Sequence, residues 1–421
     1  MSNRHRFVGF GFGPIQATIF SRDAIESGHF DEVVVAEIDA DLVSAVRGNQ
    51  NRYTYNVASA DGRAAVTVEG VELLNPQDAG QSARLKEILG RSTEVVTALP
   101  SVAFYDRGKP SVAARIAGAL KAGDASATAV YTAENHNHAA EILDEKIAAL
   151  QTDAITARPM HCLNTVIGKM SRVVTGPGEM ADLQLEPLVP GMSRALLVEA
   201  FHRILVSRTR LPDFSPGIQT LIEKDDLLPF EEAKLYGHNA IHALLGFVGA
   251  VLGVECLTDL REVPRLMEIA ESAFIDEIGA ALIAKYRDLD EPLFTSDGFR
   301  EYAEDLLQRI TNPFLVDTVA RAIRDPLRKL SYTDRLLGAM RLCLSYGVEP
   351  RNLAVGAAAG IRLVANEPGH FGLECERHAQ DETSEMHNAL LNLGADAAPA
   401  EELDSVVRCI LQAREVLNEL T

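Results

Sequence analysis

The sequence predicts an α/β amino-terminal domain built on a mostly parallel sheet, followed by a mainly α-helical carboxy-terminal domain, with the boundary near residue 225. Three observations carry this expectation. Across the first 135 residues short β-rich runs alternate with helical patterns, the rhythm of strands joined by crossover helices. The first of these runs ends in a glycine-rich turn that opens a helical pattern. From about Leu227 onward strands become scarce, and apolar residues recur three and four apart, as in Ala270 to Tyr286 and Arg335 to Leu344.

Taken in order, Arg6-Phe7-Val8 forms the first strand and Glu32 to Ala36 (E-V-V-V-A) the second, with later strands at Glu94 to Ala98 and Ala129 to Ala133. Alternation on either side of Ala60-Asp61-Gly62, between Tyr53 and Leu74, marks an inserted hairpin. Pro187 to Leu205 and the proline-rich Leu211 to Gly217 announce a change of style before the helical half. The apolar run Ala243 to Val254 spans twelve residues, well short of the ~20 that a bilayer crossing needs, and reads as a buried core helix. Ala395 to Pro399 reads as a loop before the last helix.

Composition narrows the function classes. With 421 residues the chain is too long for one ordinary core. Acidic residues outnumber basic ones by 60 to 40, and a net charge of −20 repels phosphate backbones and anionic lipid. Neither nucleic acid nor a membrane is an expected partner. A small anionic substrate remains compatible if a local basic pocket overrides the global charge within a Debye length of about 8–10 Å. The five cysteines (Cys162, Cys256, Cys343, Cys375, Cys409) are scattered and form no C-x-x-C pair, which fits a reducing compartment. No charged-then-apolar leader precedes Phe7, so a cytoplasmic location is expected.

The turn Gly9-Phe10-Gly11-Phe12-Gly13-Pro14 follows a strand and opens a helix, the setting in which glycines let a backbone approach a pyrophosphate. Gly9, Gly11, Phe12 and Gly13 are therefore candidate contacts of a dinucleotide, although Pro14 holds the sixth position of G-x-G-x-x-G. Glu37 ends the second strand, where a carboxylate accepts from ribose hydroxyls and favours NAD over NADP. A plain glycine turn and a strand-end acid facing water, like the neighbouring Asp39 and Asp41, are the alternatives.

The segment Pro229 to His242 (P-F-E-E-A-K-L-Y-G-H-N-A-I-H) carries the densest chemistry. At roughly 100° per residue on an α-helix, with Lys234 at 0°, Glu231 falls near 60°, His242 near 80° and Asn239 near 140°. The opposite arc holds Ala233, Gly237, Ala240, Ile241, Ala243 and Leu244, suited to close packing. Oxidising an alcohol needs a base for the hydroxyl proton and donors for the oxygen on which charge develops. A lysine whose pKa is lowered by desolvation supplies the base, and an asparagine with a histidine holds the oxygen without a metal. A solvated lysine beside a core histidine is the plain alternative. Zinc on His238 and His242 is disfavoured for want of a third ligand.

These residues resemble the polyol-specific long-chain dehydrogenases/reductases, and most closely the mannitol-1-phosphate 5-dehydrogenases. The family motif K-x-x-x-x-N-x-x-H stands here as Lys234, Asn239 and His242, preceded by P-F-E-x-x-K. A second block runs from Asn312-Pro313-Phe314 to Asp334-Arg335, with weaker echoes at Ala133-Glu134-Asn135 and Val198-Glu199-Ala200-Phe201. The resemblance implies a Rossmann-like dinucleotide-binding domain over residues 1–225, a helical substrate and catalytic domain over 226–421, and NAD-linked interconversion of a polyol or polyol phosphate with its ketose. It implies Lys234 as general acid/base, Asn239 and His242 at the reacting oxygen, Asn135 as a further contact near that oxygen and the cofactor, and Glu231 as an aid to proton exchange. Arg328 and Lys329, in P-L-R-K-L, are candidate contacts to a substrate phosphate or hydroxyls, since arginine offers a fork and lysine a point charge. Otherwise they are a solvated pair at a helix start, as Asn135 is otherwise a loop cap and His136 and His138 are loop residues.

The chain departs from the family pattern at Ser171, where relatives carry an aspartate, at Ile204, where many carry tryptophan, and in an inserted stretch from Phe104 to Pro110. A hexuronate reductase is therefore the alternative within the class, and a non-catalytic nucleotide-binding sensor the alternative outside it. Monomer and dimer are both compatible with the sequence.

Overall fold

A computed structural model describes residues 5–122, 125–151, 158–366 and 381–421; Cys375 lies outside them. The chain divides into two compact units, one ending at Leu228 and the other beginning at Pro229.

The described residues of the first unit form twelve strands: β1 (His5–Phe10), β2 (Phe30–Ala36), β3 (Arg52–Ala58), β4 (Arg63–Glu69), β5 (Val71–Leu74), β6 (Glu94–Thr97), β7 (Thr128–Thr132), β8 (Met160–Ile167), β9 (Ser171–Thr175), β10 (Arg194–Glu199), β11 (Ile204–Ser207) and β12 (Leu221–Lys224). Eight build one sheet in the order β12-β11-β8-β7-β6-β1-β2-β5. Strands β5, β2, β1, β6, β7 and β8 run parallel, and β11 turns antiparallel against β8. Crossover helices cover both faces, so the second half of β2, Val33 to Ala36, is continuously apolar: Val33 and Val35 enter one core with Phe7, Val96 and Tyr131, while Val34 and Ala36 enter the other with Val8, Phe10 and Val95. Each such valine contributes about 1.5–3 kcal/mol by its burial.

From β1 the chain winds outward one way through β2 to β5 and then returns to the other side of β1 with β6 and β7. The junction of β1 and β6 is thus a topological switch point, and in open α/β sheets ligands bind at such a point beyond the carboxyl ends of the strands. The glycine turn sits at that place. Gly11 adopts φ +84°, a left-handed conformation, and a Cβ on it would lie 2.7 Å from the Ala98 carbonyl oxygen that follows β6. Gly13 differs: a Cβ there would meet nothing within 4 Å, so its glycine leaves open space beside the start of the following helix.

The expected hairpin is β3–β4, closed by the Ser59 N–H donating to the Gly62 carbonyl at 2.9 Å. It pairs with β10, which pairs in turn with β9, making a second sheet in the order β4-β3-β10-β9. Buried Asn56 ties β3 to β10 and to the chain before it, donating to the Leu196 and Glu186 carbonyls at 3.1 and 2.9 Å.

The second unit is helical, and its described residues contain no strand ladder beyond an isolated bridge between Cys256 and Thr318. Its centre is Asn239–Val251, flanked by Val319–Ala322, Arg335–Ser345 and Arg351–Asn366; the terminal Ala400–Leu420, which begins directly after the expected loop, packs on the last two of these. Among the described residues no helix is long and apolar enough to cross a membrane.

Gly11→Ala combines a strained φ with a clash against backbone and should lower the unfolding free energy by about 1–3 kcal/mol. Gly13→Ala should leave it within about 0.5 kcal/mol of the parent, as read from denaturant midpoints.

Candidate active site

The segment that carries Lys234 is not a uniform α-helix. It begins as Leu228–Glu232, widens to a π-helical turn over Ala233–His238 and continues as Asn239–Val251. In the wide turn the Asn239 N–H donates to the Lys234 carbonyl, an i→i+5 bond. Residues five apart are thereby aligned much as residues four apart are in an α-helix, and the ~140° offset expected for Asn239 on a regular wheel closes. The expected α-helical spacing is corrected in this respect, and the backbone turns positions 234 and 239 towards one face of the helix.

Packing explains why the turn persists. A Cβ on Gly237 would approach the Phe274 ring to 2.8 Å, so only glycine lets the wide turn lie against that neighbour. The Tyr302 hydroxyl donates to the Ala233 carbonyl at 3.3 Å. Glu232 anchors the start of the segment by accepting from Lys285 Nζ at 2.6 Å and from the Tyr286 hydroxyl at 2.6 Å. Ala233, Ala240, Ile241, Ala243 and Leu244 are buried, as the apolar arc predicts.

Desolvation in this setting lowers the Lys234 amine to about 8, with the Arg335 guanidinium adding to the fall and the Glu231 carboxylate opposing it. Glu231 is itself buried. Asn239 is partly buried, and among the described residues its side-chain amide has no hydrogen-bond partner. His242 Nε2 lies 2.8 Å from Oδ2 of Asp317, whose other oxygen accepts from Arg321 Nη1 at 2.7 Å. His238 is buried, and burial with nearby Arg309 and His242 drives its imidazole well below the usual range. Among the described residues no group of three or more His, Cys, Asp or Glu side chains is placed to hold a metal.

The paired candidates Arg328 and Lys329 separate in the structure. Lys329 is buried and donates to the Ala322 carbonyl; burial, then the charges of Arg335, Arg328, Arg324 and Arg321, lower its amine to about 8. Arg328 is exposed, with Asp334 at 3.7 Å. Exposed Arg324 pairs with no acid among the described residues, whereas buried Arg335 is held by Asp334 at 2.7 Å. A cluster of cations therefore surrounds Lys329 in a chain of net charge −20.

In the first unit, Glu37 braces the glycine turn: Oε2 accepts from the Phe12 N–H at 2.7 Å and Oε1 from the Asp39 N–H at 2.9 Å. Gly13 accepts from the Ala17 N–H at 2.9 Å in the first turn of the helix, and Gly9 packs against the side chain of Gln16. Asp39 is no idle acid, since it caps the helix Ala40–Gly48 and pairs with Arg194 at 3.1 Å. Asn135 stands exposed just after β7, as do His136 and His138. Its neighbour Glu134 is buried and accepts from Thr97 Oγ1 at 2.9 Å, the Leu99 N–H at 2.8 Å and the Tyr105 hydroxyl at 2.5 Å, holding the chain that follows β6.

Sequence reasoning passed over Asp317, Arg321, Arg335 and the exposed Ile38. An acid four residues before an arginine (Asp317, Arg321) was the available signal. It indicates an ordinary helix pair and says nothing of a histidine 75 positions away.

Residues 226–405 match the family model described as the mannitol dehydrogenase C-terminal domain. This region is similar to that family. The matched region contains Lys234, Asn239, His242, Asp317 and the cation cluster. Across most of the chain, a mannitol-1-phosphate 5-dehydrogenase of Brevibacillus brevis (strain 47) is 27% identical over 84% of this chain and 85% of its own length. One of Paenarthrobacter aurescens (strain TC1) is 27% identical over 93% and 92%. The resemblance read from the motifs is borne out. A D-sorbitol dehydrogenase in substrate-free form superposes with a TM-score of 0.75 at 14% identity, covering 100% of this chain and 96% of that one. Pseudomonas fluorescens mannitol 2-dehydrogenase, in a ternary complex with NAD and D-mannitol, gives 0.70 at 15%, covering 99% and 94%. Both share the fold of this chain, a Rossmann-like sheet domain and a helical domain.

Because folding lowers the Lys234 amine from 10.5 to about 8, the folded state carries the full cost of a desolvated ammonium below pH 8 and sheds it as pH rises towards 10.5. Relative to Lys234→Met, the native protein should therefore gain stability between pH 8 and 10.5, measured by thermal unfolding of both proteins at several pH values.

Proposed function

We propose that this protein is an NAD-dependent polyol dehydrogenase in which Lys234 is the general acid/base, with no metal. The observation that carries the reading is a lysine amine lowered to about 8 on a π-helical turn that also aligns Asn239. The mannitol dehydrogenase family of the carboxy-terminal region and the mannitol-1-phosphate 5-dehydrogenase relatives support it.

The glycine turn fits a dinucleotide: the space left by the missing Cβ of Gly13 admits a pyrophosphate beside the backbone of Gly11, Phe12 and Gly13. Gly9 sets the turn against Gln16, Glu37 offers its remaining lone pairs to the ribose, and Ile38, 64% exposed, offers an apolar rest for the adenine. Bound NAD supplies the hydride acceptor for the carbinol carbon. Neutral Lys234 takes the hydroxyl proton, and in the reverse direction its ammonium returns one to the ketone oxygen. Asn239 and His242 hold that oxygen as charge develops, with Asn135 as a further contact. Glu231, buried beside Lys234, passes the proton on towards solvent.

Within this class, mannitol 1-phosphate with fructose 6-phosphate is the substrate pair we favour. Arg324 without an acid partner, Arg328 loosely paired, and Lys329 form the local basic pocket that an anionic substrate requires in an acidic protein. The same cations would take a uronate carboxylate, which keeps hexuronate reduction as the second reading.

NADH oxidation with fructose 6-phosphate, fructose, fructuronate and tagaturonate separates these readings. Turnover of the hexose phosphate is expected, turnover of uronates alone would favour the second reading, and no turnover with any ketose would favour a nucleotide-binding sensor. Lys234→Ala should abolish turnover while NAD binding, read by calorimetry, survives. Polyol oxidation should rise about tenfold per pH unit below about 8 and level off above it, and ketose reduction should fall above about 8. Arg324→Ala and Arg328→Ala should raise KM for the phosphorylated substrate about ten- to a hundredfold, leaving KM for fructose unchanged.

A further inference from the structure

We propose that Asp317 is a positioning residue that fixes the imidazole of His242 with its Nε2 proton on the carboxylate, leaving Nδ1 for the substrate oxygen. The second half of this statement rests on the dehydrogenase reading above; the first half stands on geometry alone.

Asp317 is 1% exposed, and each of its oxygens has a single cationic or imidazole partner: Oδ2 faces His242 Nε2 at 2.8 Å and Oδ1 accepts from Arg321 Nη1 at 2.7 Å. Burial alone would raise its pKa. His242 and Arg321 outweigh burial and hold the carboxyl well below the usual range. An ionised carboxylate only accepts hydrogen bonds, so the proton between it and the imidazole sits on Nε2. Among the described residues Nδ1 of His242 has no partner.

The backbone around Asp317 is built to deliver that carboxylate. Val316 has φ +52°, a left-handed conformation that a β-branched residue adopts only when its surroundings enforce it. The enforcement is visible on the far side. The Asp317 carbonyl accepts from the Leu257 N–H at 2.9 Å, the Val319 N–H donates to the Glu255 carbonyl at 2.9 Å, and Thr318 caps Val319–Ala322.

This arrangement has a chemical consequence. A neutral His242 protonated on Nε2 presents a bare Nδ1, which accepts the hydrogen bond of a substrate hydroxyl but gives nothing to a ketone oxygen. As long as Nε2–H stays bonded to Asp317, the imidazole can donate to the oxygen on which charge develops only as the cation, protonated on both nitrogens, and the carboxylate opposite Nε2 stabilises that cation. Asp317 therefore acts on the reaction through His242, as an orienting carboxylate acts on a catalytic imidazole generally.

Asp317→Asn reads this directly. Arg321 donates to the amide oxygen of Asn, so the amide NH2 faces Nε2, which must then accept, and the neutral imidazole moves its proton to Nδ1. Long-range hydrogen–nitrogen correlation spectra of nitrogen-15 histidine-labelled full-length protein, with His242 assigned by its loss in His242→Gln, report the tautomer without turnover. The Nε2–H form in the parent and the Nδ1–H form in Asp317→Asn are expected, with kcat for ketose reduction lowered about ten- to a hundredfold because a neutral Nδ1–H donor replaces a cationic one, KM held within about threefold, and partial rescue by Asp317→Glu. An Nδ1–H tautomer in the parent, or the same tautomer in both proteins, overturns the assignment; if Asp317→Asn does not fold, the parent spectrum decides alone. An inverted tautomer in a protein that turns over no ketose or uronate would leave the orienting contact standing and overturn the dehydrogenase reading instead.

Discussion

Between Lys234 and Asn239 the helix is wider than an α-helix, and the amide of Asn239 reaches back five residues to the carbonyl of Lys234. That bond stacks a lysine and an asparagine on one face. It persists because the back of the turn is filled: Phe274 lies where any side chain on residue 237 would have to go, and Tyr302 donates to the carbonyl at the turn's start. The same dense, apolar packing that holds the wide turn also deprives the Lys234 amine of water, and its lowered pKa follows from that desolvation more than from any single charge. Geometry and acidity thus share one cause.

The ends of the segment are secured in different currencies. Glu232, with Lys285 and Tyr286, clamps the beginning by charge-assisted hydrogen bonds to one helix. His242, with Asp317, is tied to a strained loop whose own backbone is pinned on both sides. Around Lys329 several arginines outnumber the two aspartates that answer them, Asp317 and Asp334. A surplus of positive charge at one place, in a protein with twenty surplus negative charges, is sustained because screening confines each field to roughly a Debye length.

Much of this was legible from residues alone. The apolar run of β2, the alternation around Gly62 and the three-and-four spacing of the second half each record a local periodicity, and the strands, hairpin and helices appear where those periods place them. Other features were not. The wheel that set Asn239 about 140° from Lys234 assumed a regular α-helix, and a π-turn leaves no periodic signature. Arg328 and Lys329 looked equivalent in P-L-R-K-L, yet one is exposed and the other buried. Glu37 was read for the ribose hydroxyls, and the structure adds that its carboxylate already braces the turn it stands beside.

The sequence by itself determined the order of elements, the glycine turn at the end of β1, and a lysine, an asparagine and a histidine brought to one helix, because these depend on spacing along a single chain. Only tertiary structure decided the protonation of that lysine, the orientation of the histidine and which cations are free to meet an anion. Each of these is set by groups distant in sequence, Arg335, Asp317 and Asp334 among them, and by the burial that brings their charges into a medium of low dielectric.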